Sequence, residues 1–290
     1  MVWRLGKPLL VGFSGGILFT GSVWAEVRSM PSAVERLVTN YLNRTPVSAI
    51  APHWTLEQAA QFQQQLVQAL IPQLGPIVGY KAALTSPVAQ ERFGVSHPVR
   101  GTLLQQMLLS TGATVPVNFG ARGVFEADLM VRVADEKINQ ATTHREVLES
   151  LDAVIPFIEL ADLMYDRTVP LNGPALVAIN AGARLGVLGE PVALAATPAW
   201  EKRLGEIAVV MEDGAGEKLS EGSSAALLGH PLQAVLWLKE DLNAAGIQLK
   251  PGDLLSLGTI TPLTPVKEPM MIRARYEGLG EVSVRFENEL

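Results

Sequence analysis

The chain has 290 residues, 48% of them hydrophobic and 18% charged, which is enough apolar material for a core in one large domain. Its formal net charge of −6, with no run of Lys and Arg and no basic residues interleaved with aromatics, argues against a nucleic-acid partner. Cysteine is absent, which excludes disulfides, thiolate metal sites and cysteine nucleophiles.

The first 25 residues differ from the rest. Arg4 and Lys7 precede an apolar run from Pro8 to Trp24, and Val23-Trp24-Ala25 follows the pattern of a cleavage site. Residues 1–25 therefore read as a secretory signal peptide, and the mature chain is expected to be exported (periplasmic or extracellular), with no membrane association after cleavage. Gly12, Ser14, Gly15, Gly16 and Thr20 make the run short and weakly apolar for an uncleaved anchor. A cytoplasmic location is the alternative.

Residues 26–76 form an expected helical segment. Ser32 with Glu35 makes a capping box ahead of Val34, Leu37, Val38 and Tyr41 at helical spacing. Thr55 with Gln58 makes a second one ahead of Ala59, Phe62, Leu66 and Leu70, and Pro72 and Gly75 close that helix. From Ile77 the pattern becomes short apolar or alternating runs divided by Gly and Pro, at 77–84, 102–109, 124–134, 153–161, 174–189, 206–213, 253–260, 270–276 and 281–287. Two helices interrupt them, near 144–151 and 231–245, the second opening on Pro231 and ending before Gly246. His230, just before Pro231, reads as a hydrogen-bonding group at a helix start, and Gly278-Leu279-Gly280 as a hairpin turn. A strand-rich α+β fold over 77–290 is expected rather than a doubly wound sheet.

The run from Val124 to Ala134 alternates: Phe125, Ala127, Leu129, Val131 and Val133 share one face, and Glu126, Asp128, Met130 and Arg132 the other. Carboxylates at i and i+2 on one strand face stand about 6.5 to 7 Å apart at Cβ, close enough to grip one ion between them. On Glu-x-Asp alone a solvated strand face is the favoured reading, since acidic residues are mostly exposed. Glu159 shifts the balance, because Val154-Ile155-Pro156-Phe157-Ile158-Glu159-Leu160-Ala161 is apolar enough to be buried on both faces, where an ionised carboxylate needs a compensating charge. A cation shared with Glu126 and Asp128 would supply it, and all-oxygen ligation points to Mg2+ or Mn2+, with Ca2+ as an alternative. A salt bridge from Glu159 to Arg122, Arg132 or Lys81, or a carboxyl that stays protonated, would serve as well.

The chain resembles the 2-oxo-4-pentenoate hydratase and 4-oxalocrotonate decarboxylase branch of the fumarylacetoacetate hydrolase superfamily over roughly residues 30 to 290. The segments that carry the resemblance are, in order, Gly79-Tyr80-Lys81-Ala82-Ala83-Leu84-Thr85-Ser86-Pro87, Phe93-Gly94-Val95, Gly101-Thr102-Leu103-Leu104, Phe125-Glu126-Ala127-Asp128, Pro156-Phe157-Ile158-Glu159, Leu228-Gly229-His230-Pro231-Leu232 and Gly258-Thr259-Ile260-Thr261. The resemblance implies a mixed β-roll or sandwich with an N-terminal helical segment, and a homo-oligomer. It also implies Glu126, Asp128 and Glu159 as ligands of Mg2+ or Mn2+, and Lys81 as a catalytic group that contacts the substrate carboxylate or transfers a proton. The implied reaction is hydration of a 2-hydroxy-2,4-dienoate or 2-oxo-4-enoate to a 4-hydroxy-2-oxo acid. Decarboxylation of a 2-oxo dioate is the neighbouring alternative, and an exported binding protein that keeps only the metal pocket is a third. Four positions depart from the branch: Asp128 stands where Glu is usual, Leu163-Met164 stands where a Ser-Arg pair commonly follows Asp162, Ile179-Asn180 replaces an Asp-Asn pair, and Val99-Arg100 offers no acid after Pro98.

Overall fold

The computed structural model describes residues 32–48, 50 and 53–289. The signal peptide expected over 1–25 lies outside the described residues. Both capping boxes form as the sequence predicts, and they open α1 (Ala33–Asn43) and α2 (Leu56–Leu74). Pro72 sits inside the last turns of α2 rather than beyond it, and Gly75, with φ of +80°, provides the end.

The chain then lays down β1 (Ile77–Ala83), α3 (Pro87–Phe93), β2 (Val99–Leu104), β3 (Leu108–Ser110), β4 (Ala113–Pro116) and β5 (Gly123–Val133). These are followed by α4 (His144–Glu149), β6 (Leu151–Asp162), α5 (Gly173–Ala178), β7 (Leu185–Leu188), β8 (Val192–Ala193), α6 (Pro198–Gly205), β9 (Ala208–Asp213) and β10 (Lys218–Ser223). The series ends with α7 (Pro231–Ala244), β11 (Leu254–Thr259), β12 (Thr264–Pro265), β13 (Met270–Tyr276) and β14 (Gly280–Glu287).

One sheet runs β2-β1-β11-β5-β6-β7-β3, with β12 added to β5 and β8 to β6. The other runs β10-β9-β13-β14-β4. Pairs are antiparallel apart from β1 with β11, β3 with β7 and β4 with β14. This is the expected strand-rich α+β class, with more helix than periodicity suggested. The run 174–189 splits into α5, a tight turn and β7, because Asn172 caps a helix at Ala175 and Pro174 fits its first turn. In the same way Ser86 and Thr197, each followed by Pro, start α3 and α6.

Alternation divides the core in two. The odd-numbered residues of β5 (Phe125 to Val133) join Val154, Ile158 and Leu160 of β6 in a core shared with α4, α7 and the second sheet. Met130 and the odd-numbered Ala153, Ile155 and Phe157 face a second core, formed with α1, α2 and α5. At roughly 1.5–3 kcal/mol for each large aliphatic side chain buried, both faces of β5 and β6 resist any slip of register. A slip of one residue would exchange apolar and acidic side chains between the two cores.

Candidate metal centre

Register decides what the acidic positions meet. Glu126 of β5 lies directly opposite Glu159 of β6, and Asp128 lies one pleat further along opposite Phe157. All three carboxylates are buried, and they occupy the face turned to the second core. Lys81 of β1 pairs with Ser256 of β11, which pairs with Met130 of β5, so Lys81 lies on the same face. Its long arm crosses β11 and β5 to reach the Glu159 carboxylate and donates a further hydrogen bond to the carbonyl of Ala181 at 3.0 Å. Room for that arm depends on Gly101 opposite it in β2, where a Cβ would come within 2.8 Å of the Lys81 Cγ. Of the partners open to Glu159, Lys81 is the one realised. Arg122 donates to the Tyr165 carbonyl, and Arg132 pairs with Asp152 near the surface.

Asp128 has a different environment. One carboxylate oxygen accepts from the backbone N–H groups of Leu257 at 3.2 Å and Gly258 at 2.8 Å as well as from that of Leu129, and the other meets the Ser256 hydroxyl. The β11 backbone bulges between Ser256 and Thr259, and the Asp128 side chain fills the gap in the ladder. Burial, then the nearby Glu159, push its carboxyl up to about 8. Glu126 accepts from the Thr259 hydroxyl at 2.9 Å through one oxygen, while its other oxygen is buried with no hydrogen-bond partner. Burial and the facing Glu159 push Glu126 well above the usual carboxylate range.

Around this point three buried carboxylates face a single buried ammonium, a formal excess of two negative charges that a divalent cation would cancel. The orphaned Glu126 oxygen and the all-oxygen donor set fit a hard cation of that charge. Glu126 and Glu159 face each other across the strand pair, whereas Asp128 is drawn back onto β11 by its backbone donors. Among the described residues no three His, Cys, Asp or Glu side chains already form a ligand cluster.

Sequence reasoning missed the support beneath these groups. Asn180 both accepts from the Thr102 N–H and donates to the Thr102 carbonyl, each at 2.8 Å, and so stands in for a strand partner on β2. Asn180, Ala181 and Gly182 all have positive φ, at 57°, 51° and 73°, and that tight turn presents the Ala181 carbonyl to Lys81. The signals available were the match of Ile179-Asn180 to an Asp-Asn pair of the branch and the Asn-Ala-Gly run, and neither gave Asn180 its strand-like role. Ser256 read in sequence only as a strand residue, and Thr259 stood in a segment that carries the resemblance without a role of its own. His230 caps α7, as expected, by accepting from the Leu232 N–H.

The fold is shared with fumarylpyruvate hydrolase from Pseudomonas aeruginosa, solved with Mn2+ and pyruvate, at a TM-score of 0.53 over 72% of this chain and 89% of that one with 15% identity. A nearer structure is 4-oxalocrotonate decarboxylase from Pseudomonas putida G7, complexed with magnesium and adipate, at a TM-score of 0.78 and 28% identity over 88% of this chain and 95% of that one. Among curated proteins, a 2-keto-4-pentenoate hydratase of Paraburkholderia xenovorans is 30% identical over 245 residues, covering 84% of this chain and 88% of that protein. A 4-oxalocrotonate decarboxylase of Pseudomonas putida is 29% identical over 235 residues, 81% of this chain and 87% of that protein. No family model matches the sequence. The chain belongs to the 2-keto-4-pentenoate hydratase and 4-oxalocrotonate decarboxylase branch of the fumarylacetoacetate hydrolase superfamily. Among the described residues no helix is long and apolar enough to cross a membrane.

Proposed function

We propose that the protein is a divalent-cation-dependent hydro-lyase that adds water to a 2-hydroxy-2,4-dienoate or 2-oxo-4-enoate and yields a 4-hydroxy-2-oxo acid. The observation that carries the reading is the buried carboxylate face with its excess of two negative charges and one unpartnered oxygen on Glu126. The hydratase relatives, which cover most of the chain, support the reaction class.

Glu126 and Glu159 would hold Mg2+ or Mn2+, with Asp128 as the third acid through the oxygen that it shares with Ser256. When bound, the cation would supply Lewis-acid polarisation of the 2-oxo acid end of the substrate. Lys81 is the proton-transfer or carboxylate-binding group. Its ammonium is buried beside Glu159, where a charge-assisted hydrogen bond is strong. The Ala181 carbonyl and Gly101 fix where that ammonium points. The Thr259 hydroxyl orients Glu126.

Purified protein with Mg2+ or Mn2+ and 2-hydroxypenta-2,4-dienoate is expected to bleach the diene absorbance. Absence of turnover across a panel of such acids would refute the reading. A second reading, decarboxylation of a 2-oxo dioate at the same site, is favoured by the decarboxylase relatives, and release of CO2 separates it from hydration.

A further inference from the structure

Glu126 is not alone in keeping an idle oxygen. Among the described residues, the buried side-chain atoms without a hydrogen-bond partner belong to Glu212, Ser220 and Arg273 of the second sheet, and to Glu126 and Thr85. Thr85 is 2% exposed, so its hydroxyl has lost water and gained nothing in return. Its backbone, by contrast, is firmly held. β1 ends at Ala83, and Leu84 turns the chain with φ of +58°, a left-handed conformation that is rare for leucine. The Leu84 carbonyl accepts from the Gln90 side chain at 3.0 Å, and the Thr85 carbonyl from the Leu228 N–H at 3.3 Å. This arrangement brings the idle hydroxyl against Gly258, where a Cβ would stand 2.5 Å from the Thr85 Oγ1.

Gly258 ties that hydroxyl to the carboxylate face. It lies in the β11 bulge, where its N–H donates to Asp128 at 2.8 Å and the hydroxyl of the next residue, Thr259, donates to Glu126 at 2.9 Å. With bonds of about 1.5 Å along Gly258, the Thr85 oxygen is held within about 8 Å of the Asp128 carboxylate, so a ligand of a few heavy atoms reaches both. The other hydroxyls of the bulge are committed, Thr259 to Glu126 and Ser256 to Asp128. Resting on the function proposed above, we propose that Thr85 is a substrate-binding residue whose hydroxyl donates a hydrogen bond to an oxygen at the 2-oxo acid end of the substrate. The carboxylate and keto oxygens of such an acid only accept hydrogen bonds, and a hydroxyl rotates to supply one. The partner that folding withholds from Thr85 is the one the substrate brings.

The test compares Thr85→Val, which keeps the shape of the side chain and removes the hydroxyl, with Thr85→Ser, which keeps the hydroxyl. Binding of oxalate, a small acid with the same pair of adjacent oxygen-bearing carbons, is measured by calorimetry on the full chain with Mg2+, and stability by urea unfolding. Thr85→Val is expected to bind oxalate roughly tenfold or more weakly, the yield of a hydrogen bond to a charged group, and to raise KM for 2-hydroxypenta-2,4-dienoate. Thr85→Ser should return most of that affinity. Thr85→Val should also unfold at no lower urea concentration than the wild type, since no bond within the protein is lost. Undiminished oxalate affinity in Thr85→Val, or a clearly lower urea midpoint that reveals a protein partner for the hydroxyl, overturns the role of Thr85. If that occurs while the wild type consumes the dienoate, the inference on Thr85 alone fails. If the wild type neither binds oxalate nor consumes the dienoate, the reading of the metal centre fails and takes Thr85 with it.

Discussion

Raising the pH should weaken the metal-free protein, and a divalent cation should restore it. Asp128 has its carboxyl pushed from 3.8 to about 8 by burial and by Glu159, so the folded chain holds a proton that the unfolded chain has already lost across that interval. Stability from this group is fully present below about pH 4 and is lost as the pH rises through about 8. A separation of about four pH units, at 1.36 kcal/mol each, amounts to about 6 kcal/mol. Glu126, also raised, acts in the same direction. His230 opposes them: burial lowers its folded-state value, so it adds stability as the pH rises through the ordinary imidazole range near 6.5.

The assay is urea unfolding at about pH 5 and about pH 8, with chelator and with excess Mg2+. In chelator a loss of several kcal/mol is expected at the higher pH, from a total stability on the order of 5–15 kcal/mol. Mg2+ should recover most of that loss, since a cation that binds only the folded state stabilises it by mass action. Asp128→Asn should reduce the pH slope, because an amide oxygen can accept the same three backbone bonds and its NH2 can donate to Ser256. A metal-free wild type equally stable at both pH values, or a slope unchanged in Asp128→Asn, would show that the carboxylates are not held protonated by their surroundings.

Lys81→Met leaves Glu159 buried without its cation, which should cost about 3–5 kcal/mol in metal-free protein and abolish most turnover. Adding Glu159→Gln should return part of the stability in denaturant melts but none of the activity. Gly258→Ala forces a side chain into a backbone with φ of +111° and sets a Cβ 2.5 Å from the Thr85 hydroxyl. A loss of about 2–4 kcal/mol and a lower Tm are expected, and an unchanged Tm would contradict the bulge geometry. Asn180→Ala removes both hydrogen bonds to Thr102 and is expected to cost about 2–4 kcal/mol by chemical denaturation, with a fall in kcat as the Ala181 carbonyl loses its support.

The acidic face was legible because β5 alternates cleanly and because an acid in the apolar run of β6 has few uses. Two short-range patterns therefore predicted a long-range meeting of Glu126 and Glu159. The partner of Glu159 was not legible. By residue pattern Lys81, Arg122 and Arg132 were equivalent, and only the resemblance set Lys81 apart, until β1 took its place beside β11 and brought Lys81 onto the same face. The bond pattern of Asp128 was hidden for a similar reason, since a bulge in β11 is a property of how β11 meets β5 and leaves no trace in Ser256-Leu257-Gly258-Thr259 beyond the glycine. The helices over 87–93 and 198–205 were too short for a clear period and were signalled only by Ser-Pro and Thr-Pro at their starts. A cleft lined by Arg92, Arg122, Arg167 and Lys267 was invisible in sequence, because its four cations come from α3, from the segment before β5 and from the loops after β6 and β12.

Lys81, Ser256, Asp128, Glu126 and Glu159 all stand on four strands joined edge to edge by one hydrogen-bond ladder. The relative positions of the groups proposed for the reaction are thus set by strand pairing, while Arg92, Arg167 and Lys267 come from segments outside that ladder. Substitutions in those segments can accumulate without disturbing the ladder. A lineage built this way can vary its loops and inherit the placement of those groups unchanged.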